Sequence, residues 1–500
     1  MDSSSSSPDY SQLQKPLEHF RAKTTRVALH RLEMAALGIV CAHLVFLPWA
    51  IGGMRLWGQL ISLSLAVIGF AVALMPRDYT GEDTGTNSFR LLTWPKLTRF
   101  PIFWIGLALL GLVIVQALNP AWAYESDGRG WWMKRIDHAT WLPAGVREPF
   151  EKGGPWRALI IYASAWLTVC TIWTAFTRRR TVQLLFLTLA INGVALAAFG
   201  LGQRMLGNGK LFGFWKSPND SFFASFIYKN HAGAYLNLSL IVTCGLAAWY
   251  YFRGLRRFEK SNPSGLFAFF ALMIAVSVLV SYARGATLVM LLFLAVTIVG
   301  FILHQLLAPT TTRKPIIAII LVGAFLLFLK TGLDALNSKQ AWKHLERGLA
   351  GEDGSLKARK IATRAATEML ADYWVAGAGA GSFSALFPIY QQRYPEILSE
   401  DGKRAFWEHA HNDLVEFPLE FGLPGMLLLI GAAACGGIFL ARRFFWENPL
   451  SLCLVFGLVL SLAYGWWDFP FHCPAILVTW CALWAAVALW TNFEELKLKG

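Results

Sequence analysis

Apolar runs of about 18 to 22 residues, each long enough to cross a hydrocarbon layer as one α-helix, recur along the whole chain. They predict spans at 33–53, 57–75, 101–119, 156–177, 182–203, 232–252, 265–283, 286–307, 315–333, 421–441, 448–466 and 473–492. Basic residues mark alternate connections: Arg178, Arg179 and Arg180, then Arg253, Arg256, Arg257 and Lys260, then Arg313 and Lys314, then Arg442 and Arg443. Lys and Arg collect in short cytoplasmic loops, so these turns and the N-terminus are expected inside. The layout is a cytoplasmic tail over 1–32, nine spans within 33–333, a long outer loop over 334–420, three spans within 421–492 and a short cytoplasmic tail over 493–500. The expected fold class is an all-α integral membrane protein of about 12 transmembrane helices with one long, partly helical outer loop.

Composition supports this picture. Of 500 residues 55% are hydrophobic and 15% charged, with 22 Trp and 36 Phe, a balance that excludes disorder and a soluble globular enzyme. The 43 Gly suit helices packed closely in a bilayer. A net charge of +14 would suggest nucleic acid in a soluble protein, but here much of it lies in the short loops between spans, so it sets topology and no nucleic-acid partner is expected. The seven Cys lie almost entirely in apolar segments without CxxC or metal-like spacing to His, which argues against a disulfide framework. The N-terminus is Ser-rich and basic (Lys15, Arg21, Lys23, Arg26, Arg31), and the first apolar run begins only near Met34. That reads as an anchored first helix with a cytoplasmic tail and not as a cleavable signal.

The outer connections differ in kind from the basic ones. Residues 120–155 are Trp-rich, 204–231 basic and aromatic, and 334–420 form the one long extramembrane segment, whose charges up to Glu408 balance at ten basic against ten acidic. Three polar clusters fall on this face: Tyr228-Lys229-Asn230-His231, Ser281-Tyr282-Ala283-Arg284-Gly285-Ala286, and Glu408-His409-Ala410-His411-Asn412-Asp413. Arg284 stands in a tight turn between two spans. It either snorkels to headgroups or offers its planar fork of donors to a phosphate, with Gly285 keeping the approach open. His411 is either part of a helix cap or a general base for a sugar hydroxyl, with Glu408 placed to orient it. Asp413 and Glu416 have the spacing of a capping box. His231 reads as a hydrogen-bonded interfacial residue more than as a second base.

Within the long loop, Ser355 is a plausible N-cap for a helical run through Leu370 with one apolar face. Its Lys357, Lys360 and Arg364 belong either to a solvated face or to the site. The Gly-rich turn from Gly377 to Phe383 lacks the pattern of a nucleotide loop. No DxD-like acidic pair lies in an outer loop beside a span, so no metal or cofactor is expected and arginines must neutralise any diphosphate leaving group.

At these residues the sequence resembles the O-antigen ligase family of bacterial ligases, repeat-unit polymerases and protein O-oligosaccharyltransferases. His411-Asn412, nine residues, then Gly422-Leu423-Pro424-Gly425 fit the family's His-Asn and GxxG pattern. Asn230-His231 with Ala232-Gly233, the Arg284-Gly285-Ala286 turn, and Arg359 upstream of Gly377 to Phe383 support it, so the resemblance spans 228–425. It implies a metal-independent, inverting glycosyltransferase of the C-type architecture in the bacterial inner membrane, its site facing the periplasm. The implied donor is a glycan on an undecaprenyl-diphosphate carrier, and the implied acceptor is lipid A core or another glycan or protein hydroxyl. Carried over residue by residue, the resemblance makes His411 the base that activates the acceptor and Arg284 and Arg359 the holders of the diphosphate. Lys229, Asn230, His231, Arg364, Glu408, Asn412 and Asp413 are expected around the substrate. Lys216 adds positive potential nearby, and Trp131, Trp132 and Trp141 either stack on sugars or anchor at the interface. The residues after His-Asn-Asp, Leu414, Val415 and Glu416, depart from a common family form with an aromatic and a Gln, which leaves the acceptor open.

Ligation to lipid A core is the favoured reading, because the motif spacing fits the ligase form and no soluble extension follows the last span. Polymerisation of repeats and transfer to Ser or Thr of a protein share the same donor chemistry. A transporter is the alternative of a different class. It is disfavoured because the ionisable residues gather at one face and no pair of spans carries the central Gly or Pro breaks of discontinuous helices.

Overall fold

The computed structural model describes residues 29–79, 89–207, 209–219, 221–257, 261–307, 354–398 and 406–499, with positions 323, 327 and 330. Most of the expected N-terminal tail, most of the ninth span at 315–333 and, in the long loop, residues 334–353 and 399–405 lie outside them. Among the described residues, eleven of the twelve expected spans are present as helices, and nine helices are long and apolar enough to cross a membrane. The chain is an all-α polytopic membrane protein.

The first helices are α1 (Arg31–Trp49) and α2 (Leu56–Leu74), followed by a short antiparallel pair, β1 (Arg77–Tyr79) and β2 (Phe89–Leu91). Next come α3 (Thr93–Thr98) and α4 (Pro101–Leu118), the latter opened by a proline whose missing N–H costs nothing there. The Trp-rich connection is not irregular. It forms a three-stranded sheet in which β3 (Pro120–Ser126) pairs antiparallel with β4 (Trp131–Arg135) and parallel with β5 (Gly145–Arg147). The bundle continues with α5 (Pro155–Ala175), α6 (Arg179–Leu206), α7 (Lys229–Arg257), the shorter α8 (Ser264–Val280) and α9 (Arg284–Leu307). Outside the spans lie α10 (Gly354–Tyr373) and α11 (Phe383–Gln391), and the chain returns through α12 (Asp413–Ala441), α13 (Pro449–Tyr464) and α14 (Pro474–Lys499).

α7 is the centre of the bundle, buried along almost its whole apolar length, and its neighbours share one continuous core. At one end the basic connections meet: Arg179 lies over the rings of Trp249 and Trp490, and Arg443 donates to Asn492. At the other end the expected outer loops meet. Cys473 bonds the carbonyl of Gly52, and Gly154 bonds that of Gly381.

A second core caps this latter end. In α10, Ala362, Ala365, Ala366 and Met369 recur at helical spacing and are buried against Phe383, Leu386 and Phe387 of α11 and Val146 of β5. Ser355 is the second residue of α10 and not its cap. α12 starts eight residues earlier than the expected tenth span, because a break at Gly422 (φ 62°, ψ −168°) divides a polar stub, Asp413 to Phe421, from the lipid-facing shaft. The Gly-rich turn closes this joint: Ala378 and Gly379 donate to the carbonyls of Leu419 and Glu420, and a Cβ on Gly422 would stand 2.4 Å from the nitrogen of Gly377.

Candidate active site

The motif segment 408–413 enters α12 between the cap and the bundle. His411 has φ 54°, a left-handed backbone that a non-glycine residue adopts only under constraint. Its Nδ1 lies 3.4 Å from Oδ1 of Asp468, in the short link between α13 and α14. The other oxygen of Asp468 accepts from Asn230 and from Tyr464 (3.0 Å). Burial works against charge on Asp468, but the hydrogen bond from His411 and the nearby Arg359 outweigh it and hold the carboxyl below its usual range. Asp468 is therefore an ionised orienting partner for the imidazole.

Arg359, on α10, donates to the hydroxyl of Tyr228 (3.0 Å), which also accepts from Asn230 (2.7 Å). Lys229 lies in the field of Arg284, Arg204 and Arg359, in that order of strength. The two arginines expected at a diphosphate thus come together with Lys229, although 75 positions separate them in sequence. Arg204, over the ring of Tyr282 at 5.1 Å, is a further cation beside them. Phe469 packs on Tyr228, His231, His409 and His411, with ring centroids 5.5, 4.9, 4.7 and 4.7 Å away, and holds the two sides in register.

Several expected placements change. Glu408 does not face His411. It lines a separate cavity of about 110 Å³ with Lys152, Arg157, His409, Glu416, Glu420 and His472. Asp413 and Glu416 form no capping box: Asn412 is the N-cap residue without a side-chain bond to the helix. Asp413 instead accepts from the N–H of Phe471 and meets Nδ1 of His472 at 2.7 Å, while Glu416 accepts from the N–H of Ala410 and meets His409 at 2.7 Å. Burial disfavours a charge on His472, but the carboxyls of Glu416 and Asp413 hold its pKa up at about 10. Gly285 is required by packing and not by access, since a Cβ there would stand 2.6 Å from the ring of Tyr464, which bonds Asp468. His231 is buried among aromatic rings, and its Nε2 has no hydrogen-bond partner. Arg364 is exposed and lies in the field of Tyr394, on the flank of α10 near Arg393. Trp141 is 82% exposed, while Trp131 stacks on Tyr124.

Asp468, Phe469, His472 and Tyr464 were the residues missed. Their signal was an Asp and a His in a link of a few residues on the same face as the three polar clusters.

Fold and site together define a polytopic membrane protein with a His–Asp pair and a cationic patch at one end of its bundle. Residues 268–430, about a third of the chain, match the family model described as O-antigen ligase, in agreement with the resemblance to the O-antigen ligase family. The match covers Arg284, Arg359, His411 and the Gly422 break but not Tyr228, Lys229, Asn230 or Asp468, which the fold brings to it. No curated protein matches the chain.

Proposed function

We propose that the protein is a metal-independent, inverting glycosyltransferase that moves a glycan from an undecaprenyl-diphosphate carrier to an acceptor hydroxyl at the periplasmic face of the inner membrane, with lipid A core as acceptor. The observation that carries this reading is the convergence of the His411–Asp468 pair with the Arg284, Arg359 and Lys229 patch. A base beside a cluster of fixed cations suits a reaction in which a hydroxyl loses a proton while a diphosphate gains charge.

Asp468 engages Nδ1 of His411, which leaves Nε2 to take the proton of the acceptor hydroxyl. The acceptor oxygen forms its bond to the anomeric carbon as the bond from that carbon to the diphosphate oxygen breaks. The electron pair leaves with the lipid diphosphate, and the single displacement inverts the anomeric configuration. Arg284 and Arg359 take up the growing negative charge, each charge-assisted hydrogen bond contributing about 1.5–3 kcal/mol.

Deleting the gene in its host and analysing both lipopolysaccharide and the lipid-linked glycans tests the reading. Loss of the surface ladder with long chains left on the carrier is expected. Single repeats on lipid A core would instead indicate a polymerase, and two unchanged profiles would turn the assignment away from lipopolysaccharide. In a reconstituted assay, Arg284→Ala at the wild-type rate would remove the diphosphate role.

A further inference from the structure

Two residues before His411, the chain gathers a different set of donors. His409, Glu416 and His472 each direct one ligand-type atom to a common point, all within 4.8 Å of one another. Oε1 of Glu416 lies 2.7 Å from Nδ1 of His409 and 3.3 Å from Nε2 of His472. That nitrogen of His472 is buried and has no hydrogen-bond partner, on a side chain only 9% exposed.

The supporting shell is already in place. Asp413 engages Nδ1 of His472, so Nε2 is the nitrogen turned to the centre, and the N–H of Phe471 fixes Asp413 in turn. The N–H of Ala410 binds Oε2 of Glu416 and turns Oε1 inward. A carboxylate behind a ligating imidazole and a bonded second oxygen on a ligating carboxylate are the usual second layer of a transition-metal site. Oε2 of Glu420, likewise buried and without a hydrogen-bond partner, lines the same cavity. The cavity, lined also by Lys152, Arg157 and Glu408, supplies an entry path. Three carboxyls, Asp413, Glu416 and Glu420, are thus buried around two imidazoles, so an ion at this point would meet only oxygen and nitrogen donors.

We propose that His409, Glu416 and His472 bind a divalent first-row cation of the zinc type as a structural brace. Two imidazole nitrogens and one carboxylate oxygen are a donor set suited to zinc and poorly suited to magnesium or calcium. The ion takes the place of two protons, the one shared between Nδ1 of His409 and Oε1 of Glu416 and the one on Nε2 of His472, and both are released on binding. It ties the link before α14 to the start of α12 and so steadies the backbone that carries His411. It touches neither donor nor acceptor, and the inference stands apart from the transfer reaction.

The test uses tag-free, full-length protein purified in detergent without chelator, with metal content read by mass spectrometry. About one zinc per chain is expected for wild type, background levels for His409→Gln and His472→Gln, and wild-type content for Asp468→Asn. Wild-type protein stripped with a chelator and titrated with zinc should gain roughly 3–5 °C in thermal midpoint, with no gain from magnesium. Wild-type protein that neither carries zinc above background nor responds to added zinc would overturn the proposal, as would full zinc content in both His variants. Because no readout is a transfer rate, failure here leaves the glycosyltransferase reading standing, and failure of that reading leaves this one.

Discussion

At the scale of single residues, the site depends on side chains that orient other side chains. Asp468 fixes the imidazole of His411, and its replacement by Asn keeps the shape but removes the charge that stabilises the imidazolium. Asp468→Asn is expected to lower the turnover of the reconstituted enzyme by about 10²-fold with little change in KM for the lipid-linked donor. Arg359→Ala should chiefly raise that KM, and the reverse pattern would exchange the two roles. A second residue reports through pH. Burial raises Glu148 in the connection after β5 from 4.5 to about 7. An acid whose folded pKa lies above its unfolded one stabilises the fold fully below the unfolded value and loses that contribution as pH rises towards 7. Glu148→Gln, which stays neutral, should therefore match wild type near pH 4.5 and exceed it by about 1–3 kcal/mol at pH 8, as read from thermal midpoints across pH. His411, Arg284 and Arg359 were legible because each is a chemically specific residue type in a recurring pattern. Asp468 was not, because one Asp in a short link carries no pattern, and its meaning arises only when α13 and α14 bring it beside His411.

At the scale of elements, hydrophobic runs located the spans to within a few residues, since a lipid-facing helix must be apolar over its whole length. The same logic misplaced the start of α12, whose first two turns face protein and not lipid, so Asp413, Glu416 and Glu420 broke the apolar run. It also passed over the sheet of β3 to β5, where Trp122 and Met133 pack against the cap while Trp132 faces out. In β4 only Met133 is partly buried among exposed neighbours, so a strand this short carries no alternating signal that sequence could show. The GxxG signature was visible, but its reason, a close backbone approach to Gly377, needed the fold. Gly422→Ala is expected to cost about 2–4 kcal/mol, because it meets both a positive φ and a contact at 2.4 Å. Gly431→Ala, on the same helix with open space around it, should be neutral or stabilise by up to about 1 kcal/mol. Equal thermal midpoints for the two variants would contradict the joint.

At the scale of the whole molecule, the basic turns meet at one end of the bundle and the candidate site residues at the other, an arrangement set by both loop charge and helix packing. The sidedness read from the charges has a direct check. In intact cells Trp141→Cys should react with a membrane-impermeant maleimide, whereas Arg180→Cys should react only after permeabilisation. The converse labelling would invert the topology and place the site in the cytoplasm.

The break in α12 has one more consequence. Only 11% of the most apolar window of this helix is buried, so its shaft follows the surrounding lipid, while the stub is fastened to the turn at 377–379. A straight rod from Asp413 to Ala441 would act as a lever, carrying each change of tilt imposed by bilayer thickness into the position of His411. Hinged at Gly422, the lower part adjusts to the membrane and the upper part stays with the cap. The candidate site is thereby insulated from the elastic state of the surrounding lipid.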